Sequence, residues 1–184
     1  MQTPRILIAG IGNIFLGDDA FGVEVVRRLI ERPLPDGVRV VDFGIRGLDL
    51  AYALLDGYES VILVDAAPRG GEPGALYCIE PRVESPGNTE GVTPMFETHN
   101  LTPAAVLRLV ESLGGEVKNL VVVGCEPRSL AEEMCQGMSS PVMAAIPAAV
   151  ELIETLIARL LGSHGQFSDI AEAIAAAPRV EDPR

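Results

Sequence analysis

Apolar and polar positions alternate in blocks along this chain rather than residue by residue. Residues 5–11 carry Ile6, Leu7, Ile8 and Ile11 with no polar alternation, the signature of a strand buried on both faces of a parallel sheet. The run stops at Gly10 and Gly12, and Val23 to Ile30 then follows a helical period until Pro33 and Pro35 end it. Val38 to Val41 predicts a second strand, running into a glycine loop from Asp42 to Gly47. Leu48 to Leu55 predicts a helix stopped at Gly57, and Val61 to Val64 a third strand terminated by Asp65. Pro68 to Gly74 is turn chemistry. Ala75 to Ile79 is a weaker strand suited to a sheet edge, and residues 81–98 form a long Pro-, Gly- and Glu-containing loop.

Thr102 and Pro103 have the chemistry of an N-cap and a first helical position, and the helix they start runs to Leu113 and ends at Gly114-Gly115. Leu120 to Val123 is a fifth strand, followed by Gly124-Cys-Glu-Pro. Val142, Ile146, Ala149, Ile153, Leu156 and Leu160 share one face of a last helix, with Pro147 near its first turns as a site for a kink. Strands alternating with helices predict a single-domain α/β/α sandwich around a mostly parallel, five-stranded twisted sheet. The expected domain spans residues 1–162. Residues 163–184 read as an Ala-, Pro- and charge-rich tail, expected to be partly disordered.

Composition narrows the possibilities. The 184 residues carry a formal net charge of −12, which disfavours nucleic acid as a partner because phosphate contacts need a basic face. The lone lysine, Lys118, at the start of a predicted strand, argues against a P-loop or a Schiff-base enzyme. Three cysteines, Cys78, Cys125 and Cys135, with no C-x-x-C pair, fit a reducing, cytoplasmic setting. A strand beginning almost at once leaves no N-terminal signal to expect. The longest apolar stretch, Val142 to Leu161, is interrupted by Glu151, Glu154 and Arg159, so no membrane insertion is expected.

Candidate chemistry gathers where the predicted strands end. The turn after the first strand holds Gly17-Asp18-Asp19, a poor place for a nucleotide phosphate and a good one for a cation. Asp19 follows the first strand, Asp65 closes the third, and His99 lies just before a helix. Parallel strands put the two acids on one carboxyl edge, where α/β proteins bind ligands. Two carboxylates and an imidazole suit a divalent first-row ion, and three protein ligands leave coordination positions open, as in catalytic sites. Each residue also has a plainer reading: Asp18 or Asp19 as a helix cap, Asp65 as a turn acid, His99 as a loop-stabilising side chain. His164, beside a glycine in the tail, is assigned no role.

At these residues the chain resembles the nickel–iron hydrogenase maturation proteases. The matching motifs are Gly10-Ile-Gly12-Asn13 with Gly17-Asp18-Asp19-Ala-Phe-Gly22, Asp42-Phe-Gly44-Ile-Arg46-Gly47, Ile62-Leu-Val-Asp65-Ala, His99 with the Leu101–Leu113 segment, and Val123-Gly124-Cys-Glu-Pro127. Four or more motifs in one order are far more specific than any single one. The resemblance implies a metal-dependent endopeptidase that removes a short C-terminal extension from a hydrogenase large-subunit precursor once nickel is in place. It also implies that Asp19, Asp65 and His99 engage the metal, and that the nickel can arrive with the substrate. Departures from the family pattern are Asp19, where some relatives have Glu, Asn100, where many have glycine, and the insertion-like Ala131–Met138.

The residues supply little else for hydrolysis. Gly-x-Ser-x-Gly and His-Glu-x-x-His are both absent. Cys125 lacks an obvious histidine partner other than His99 and reads as a small buried residue. Elimination leaves a metal-bound water or a metal-polarised carbonyl. Asp42, Gly44 and Arg46 belong to a loop that either lines a substrate groove or is an ordinary tight turn. Two alternatives stand beside the protease: a non-catalytic nickel-binding assembly chaperone, and a dinucleotide-binding α/β protein. The latter lacks the third glycine of the fingerprint, which is Phe15 here.

Overall fold

The computed structural model describes residues 6–80, 103–130 and 137–162. The elements run β1 (Ile6–Ile11), a 3-10 turn (Asp18–Ala20), α1 (Phe21–Ile30), β2 (Val38–Gly44), α2 (Gly47–Leu54), β3 (Ser60–Ala66), β4 (Leu76–Ile79), α3 (Pro103–Ser112), β5 (Leu120–Cys125) and α4 (Ser140–Gly162). They form one five-stranded sheet in the order β2-β1-β3-β5-β4. Every neighbouring pair is parallel except β4 with β5, which puts the weak strand at an edge and antiparallel. The mostly parallel α/β sandwich expected from the block pattern is the fold observed.

The apolar strands are continuous because both faces are covered. Ile6, Ile8, Ile62, Val64, Val121 and Val123 pack with α1 and α4 on one face. Leu7, Ala9, Ile11, Val61 and Leu63 pack with Leu50, Leu54, Val106 and Val110 of α2 and α3 on the other. Burying each such aliphatic side chain is worth about 1.5–3 kcal/mol against leaving it in water. α4 is long and apolar enough to cross a membrane by length and hydropathy. Its stripe from Val142 through Ile146, Ile153 and Leu160 is instead spent on the sheet.

Glycines set how close α1 comes to the strands. A Cβ on Gly22 would lie 2.0 Å from the Val64 carbonyl oxygen and 2.3 Å from that of Ile11. One on Gly10 would lie 2.4 Å from Val26 Cγ2. The first turn of α1 therefore rests on the backbone of β1 and β3 with no side chain between them.

Several boundaries differ from the sequence-based expectation. β2 continues through Asp42 and Phe43 to Gly44, because Asp42 pairs with Gly10 and Gly44 with Ile11. β5 likewise extends to Cys125, which pairs with Ala66 of β3 and Leu76 of β4. Residues expected in loops are thus held in the ladder by partners far away in sequence. Lys118 precedes β5 rather than opening it. His99, Thr102, the whole 81–98 loop, the 131–136 part of the insertion-like stretch with Cys135, and the 163–184 tail lie outside the described residues.

Candidate active site

The site begins with the reversal of strand order at β1. β1 leads to β2 on one side, and β3, β5 and β4 lie on the other, so the carboxyl ends of β1 and β3 frame the seam where ligands collect in this architecture. The turn leaving β1 is wound tightly over that seam. Gly12 sits at φ +130°, and a Cβ there would fall 1.8 Å from the Asp19 carbonyl oxygen. Leu16 N–H donates to Asn13 O at 3.0 Å, Asp19 N–H to Leu16 O at 3.2 Å, and Ala20 N–H to Gly17 O at 3.1 Å. Asn13 N–H donates to Asp19 Oδ2 at 2.7 Å, which fixes the carboxylate over its own turn. The turn packs against β3.

Asp65 lies in the last two residues of β3, with Ala66 N–H donating to its Oδ1 at 2.8 Å. Burial, together with the negative charge of Asp19, pushes its carboxyl up to about 7. Asp19 is raised as well, by burial, against the opposing bond from Asn13. The structure thus brings together two of the three residues expected to meet a metal, across one seam, near enough to feel each other's charge. Among the described residues no basic side chain forms an ion pair with either. No group of three or more His, Cys, Asp or Glu side chains that could hold a metal occurs among the described residues. His99, the third expected ligand, lies outside them. Paired carboxylates, each with one oxygen held by a backbone N–H, are hard donors that fit a divalent cation.

The second loop flanks the same edge. Gly12 N–H donates to Gly44 O at 3.1 Å, tying the end of β2 to the turn that carries Asp19. Gly44 adopts φ +54°, a left-handed turn that glycine takes at no steric cost. Asp42 faces α1, its Oδ2 at 3.4 Å from Arg27 Nε. Arg46 folds back on its own loop, donating through Nε to Phe43 O at 3.2 Å and through Nη2 to Asp42 O, with Asp49 at 3.5 Å. Cys125 is fully buried, and burial pushes its thiol up to about 12, with further contributions from the Asp18 and Glu126 charges. Burial disfavours the thiolate, the nucleophilic form, and leaves the sulfur no access to solvent.

Two carboxylates have roles that the sequence did not disclose. Asp18 does not cap a helix. The 3-10 turn has no side-chain cap bond, and Asp18, 4% exposed, accepts from Arg128 N–H at 2.8 Å, Ser139 N–H at 2.6 Å and Ser139 Oγ at 2.9 Å. Glu126, after β5, accepts from the Arg69 and Gly70 N–H groups at 2.9–3.1 Å and from the Tyr77 hydroxyl at 2.6 Å. The Tyr77 hydroxyl bond holds Glu126 below the usual carboxylate range, and the same bond raises the Tyr77 phenol. One hint of Glu126 was available in the sequence, an acid at a strand end in the same chain as a Gly70-Gly71 turn, since consecutive glycine amides make an anion cradle.

An open α/β sheet whose ligand edge carries paired acids, with a buried cysteine among the described residues, fits a hydrolase more readily than a nucleotide binder. The sequence profile of the hydrogenase maturation protease family matches residues 23–156. The chain is 32% identical over 151 residues to the hydrogenase 2 maturation protease of Escherichia coli, covering 81% of this chain and 88% of that one. It is 35% identical over 150 residues to the hydrogenase expression/formation protein HupD of Rhizobium leguminosarum bv. viciae, covering 81% and 72%. The solved structure of the hydrogenase maturating endopeptidase HybD from E. coli superposes with a TM-score of 0.66 at 30% identity, covering 86% of this chain and 93% of that one. The chain belongs to the hydrogenase maturation protease family and is an endopeptidase.

Proposed function

We propose that this endopeptidase removes the C-terminal extension of a nickel–iron hydrogenase large-subunit precursor, and does so only after nickel has been inserted. Asp19, Asp65 and His99 are the side chains assigned to meet the ion, which enters as part of the substrate. The observation that carries this reading is the Asp19–Asp65 pair: two partly buried acids whose mutual repulsion no basic side chain relieves among the described residues. A divalent charge at the seam relieves it.

A substrate-borne divalent ion supplies Lewis acidity next to the scissile carbonyl. The chain supplies position. Asn13 N–H occupies Asp19 Oδ2 and Ala66 N–H occupies Asp65 Oδ1, so each carboxylate keeps one oxygen for the incoming substrate. Burial and the Asp19 charge push the Asp65 carboxyl up to about 7, so a positive charge at the seam favours its ionised form. Asp42, Gly44 and Arg46, on the adjoining loop, are assigned to the groove that receives the peptide. In that role Arg46 exchanges its bonds to Phe43 and Asp42 carbonyls for substrate carbonyls. The free thiols Cys78 and Cys125 fit a cytoplasmic site of action.

The decisive experiment incubates the purified chain with nickel-loaded and nickel-free precursor and follows the large-subunit mass. Loss of the extension from the nickel-loaded form alone is the expected result. Equal cutting of both forms rejects nickel inspection.

A further inference from the structure

Asp18 adjoins the residue assigned to the metal yet turns away from the seam. Its carboxylate accepts three hydrogen bonds, from the two ends of the β5–α4 connection: Arg128 N–H three residues after β5, and Ser139 N–H and Oγ one residue before α4. These partners are 110 and 121 positions away in sequence. Gly17, one residue earlier, forms an isolated antiparallel bridge with Leu130. Asp18 is thereby a bolt joining the turn that carries Asp19 to the end of β5. β5 in turn is paired in register with β3, Gly124 opposite Asp65. The route from one carboxylate of the seam to the other runs from Asp19 to Asp18, to Arg128, along β5, and across the ladder to Asp65.

We infer that Asp18 is a positioning residue for the endopeptidase reaction, fixing where Asp19 stands relative to Asp65 through its bonds to Arg128 and Ser139. The inference rests on the proposed role of the Asp19–Asp65 pair. Among the described residues Asp18 is the side chain of the turn that hydrogen-bonds across to this connection, beside the backbone bridge of Gly17 to Leu130; the other hydrogen bonds of the turn are local, from Asn13 to Ala20. Anchoring by an ionised acceptor to two backbone donors and a hydroxyl is both strong and directional. An active-site group displaced by about 1 Å loses on the order of a hundredfold in rate, which is what such anchoring guards against.

The test uses the full chain with Asp18→Asn, Ser139→Ala and Ser139→Thr, plus Asp19→Asn as a reference. Two readouts are taken: kcat and KM on nickel-loaded precursor, and the Asn13 amide resonance, which reports the 2.7 Å bond to Asp19 without any metal present. Asp18→Asn is expected to lower kcat about 10- to 100-fold with KM within about twofold, and to shift the Asn13 amide while distant amides such as those of α2 stay in place. Ser139→Ala produces the same pattern in milder form, and Ser139→Thr, which restores the hydroxyl, recovers it. Should Asp18→Asn not fold, the serine pair decides alone. An Asn13 amide that stays put with kcat unchanged, in variants that only melt earlier, overturns the inference. If Asp19→Asn processes at the wild-type rate, the role given to Asp19 is what fails, and the Asn13 resonance still decides whether Asp18 positions the turn.

Discussion

The charge of Asp19 reaches the carboxyl of Asp65 across the seam between β1 and β3, and with burial it pushes that group up to about 7. A carboxyl raised in the folded protein binds its proton more tightly there than in the unfolded chain. Its favourable contribution is complete below the unfolded value near 4 and is lost as pH rises towards 7. The metal-free protein is therefore expected to lose about 2–4 kcal/mol between pH 4 and pH 8 from this group alone. Asp65→Asn removes that loss. Thermal melts at both pH values check it: the variant gains roughly 4–16 °C over wild type at pH 8 and little at pH 4. An unchanged difference between the two pH values contradicts the coupling.

Gly22 is where α1 meets both strands of the seam. Adding a methyl group there places it 2.0 Å and 2.3 Å from two backbone oxygens, neither of which can swing aside. Gly22→Ala is expected to cost about 3 kcal/mol or more by forcing α1 off the sheet. Gly57→Ala is the control. Nothing lies within 4 Å of its Cβ, so only the positive φ of 80° is strained, at about 1 kcal/mol. Urea melts of the two variants should differ by at least about 2 kcal/mol; equal midpoints contradict the close approach.

The parts of this architecture visible in the sequence are those carried by local pattern. The apolar run into Gly10 and Gly12 marks β1, and an apolar run ending in an acid marks β3 with Asp65. The parallel arrangement then puts Asp19 and Asp65 on one edge without further information. What the pattern does not carry is pairing across distance. Asp18 looks like any acid at a helix start, because its partners Arg128 and Ser139 have nothing in their own neighbourhood to announce it. Glu126 shows only as an acid at a strand end, and its partners are not announced until the Arg69–Gly70 turn is folded against it. β2 and β5 outrun their apolar cores for the same reason: Asp42 and Gly124 are poor strand formers kept extended by the strands beside them.

Cys125 tests the absence of a protein thiol nucleophile. It is fully buried, with its thiol pushed up to about 12, and Cys78 is pushed up to about 11 by burial and the Glu80 charge. Native protein treated with iodoacetamide at pH 8 should leave Cys125 unmodified over hours, whereas the unfolded chain reacts, as peptide mapping by mass spectrometry can follow. Cys125→Ala is expected to keep processing within about threefold of wild type and to cost about 1 kcal/mol for the small cavity. Processing lost in a variant that remains folded would give the sulfur a chemical role.

The assigned trio divides into residues whose removal should silence the enzyme for the same reason but with different effects on the resting protein. Asp65→Ala and Asp19→Ala each take one negative charge out of a repelling pair, so the metal-free fold loses little and processing of nickel-loaded precursor falls by at least about a hundredfold. His99→Ala keeps both carboxylates of that pair, and processing should be abolished just as thoroughly. Asp19→Glu keeps the charge and lengthens the arm by one bond, about 1.5 Å, so it should retain measurable cutting where Asp19→Ala has none. Mass analysis of the large subunit, alongside circular dichroism to verify folding, separates these cases. Full activity in folded His99→Ala would remove the imidazole from the site and leave the two carboxylates to meet the substrate alone.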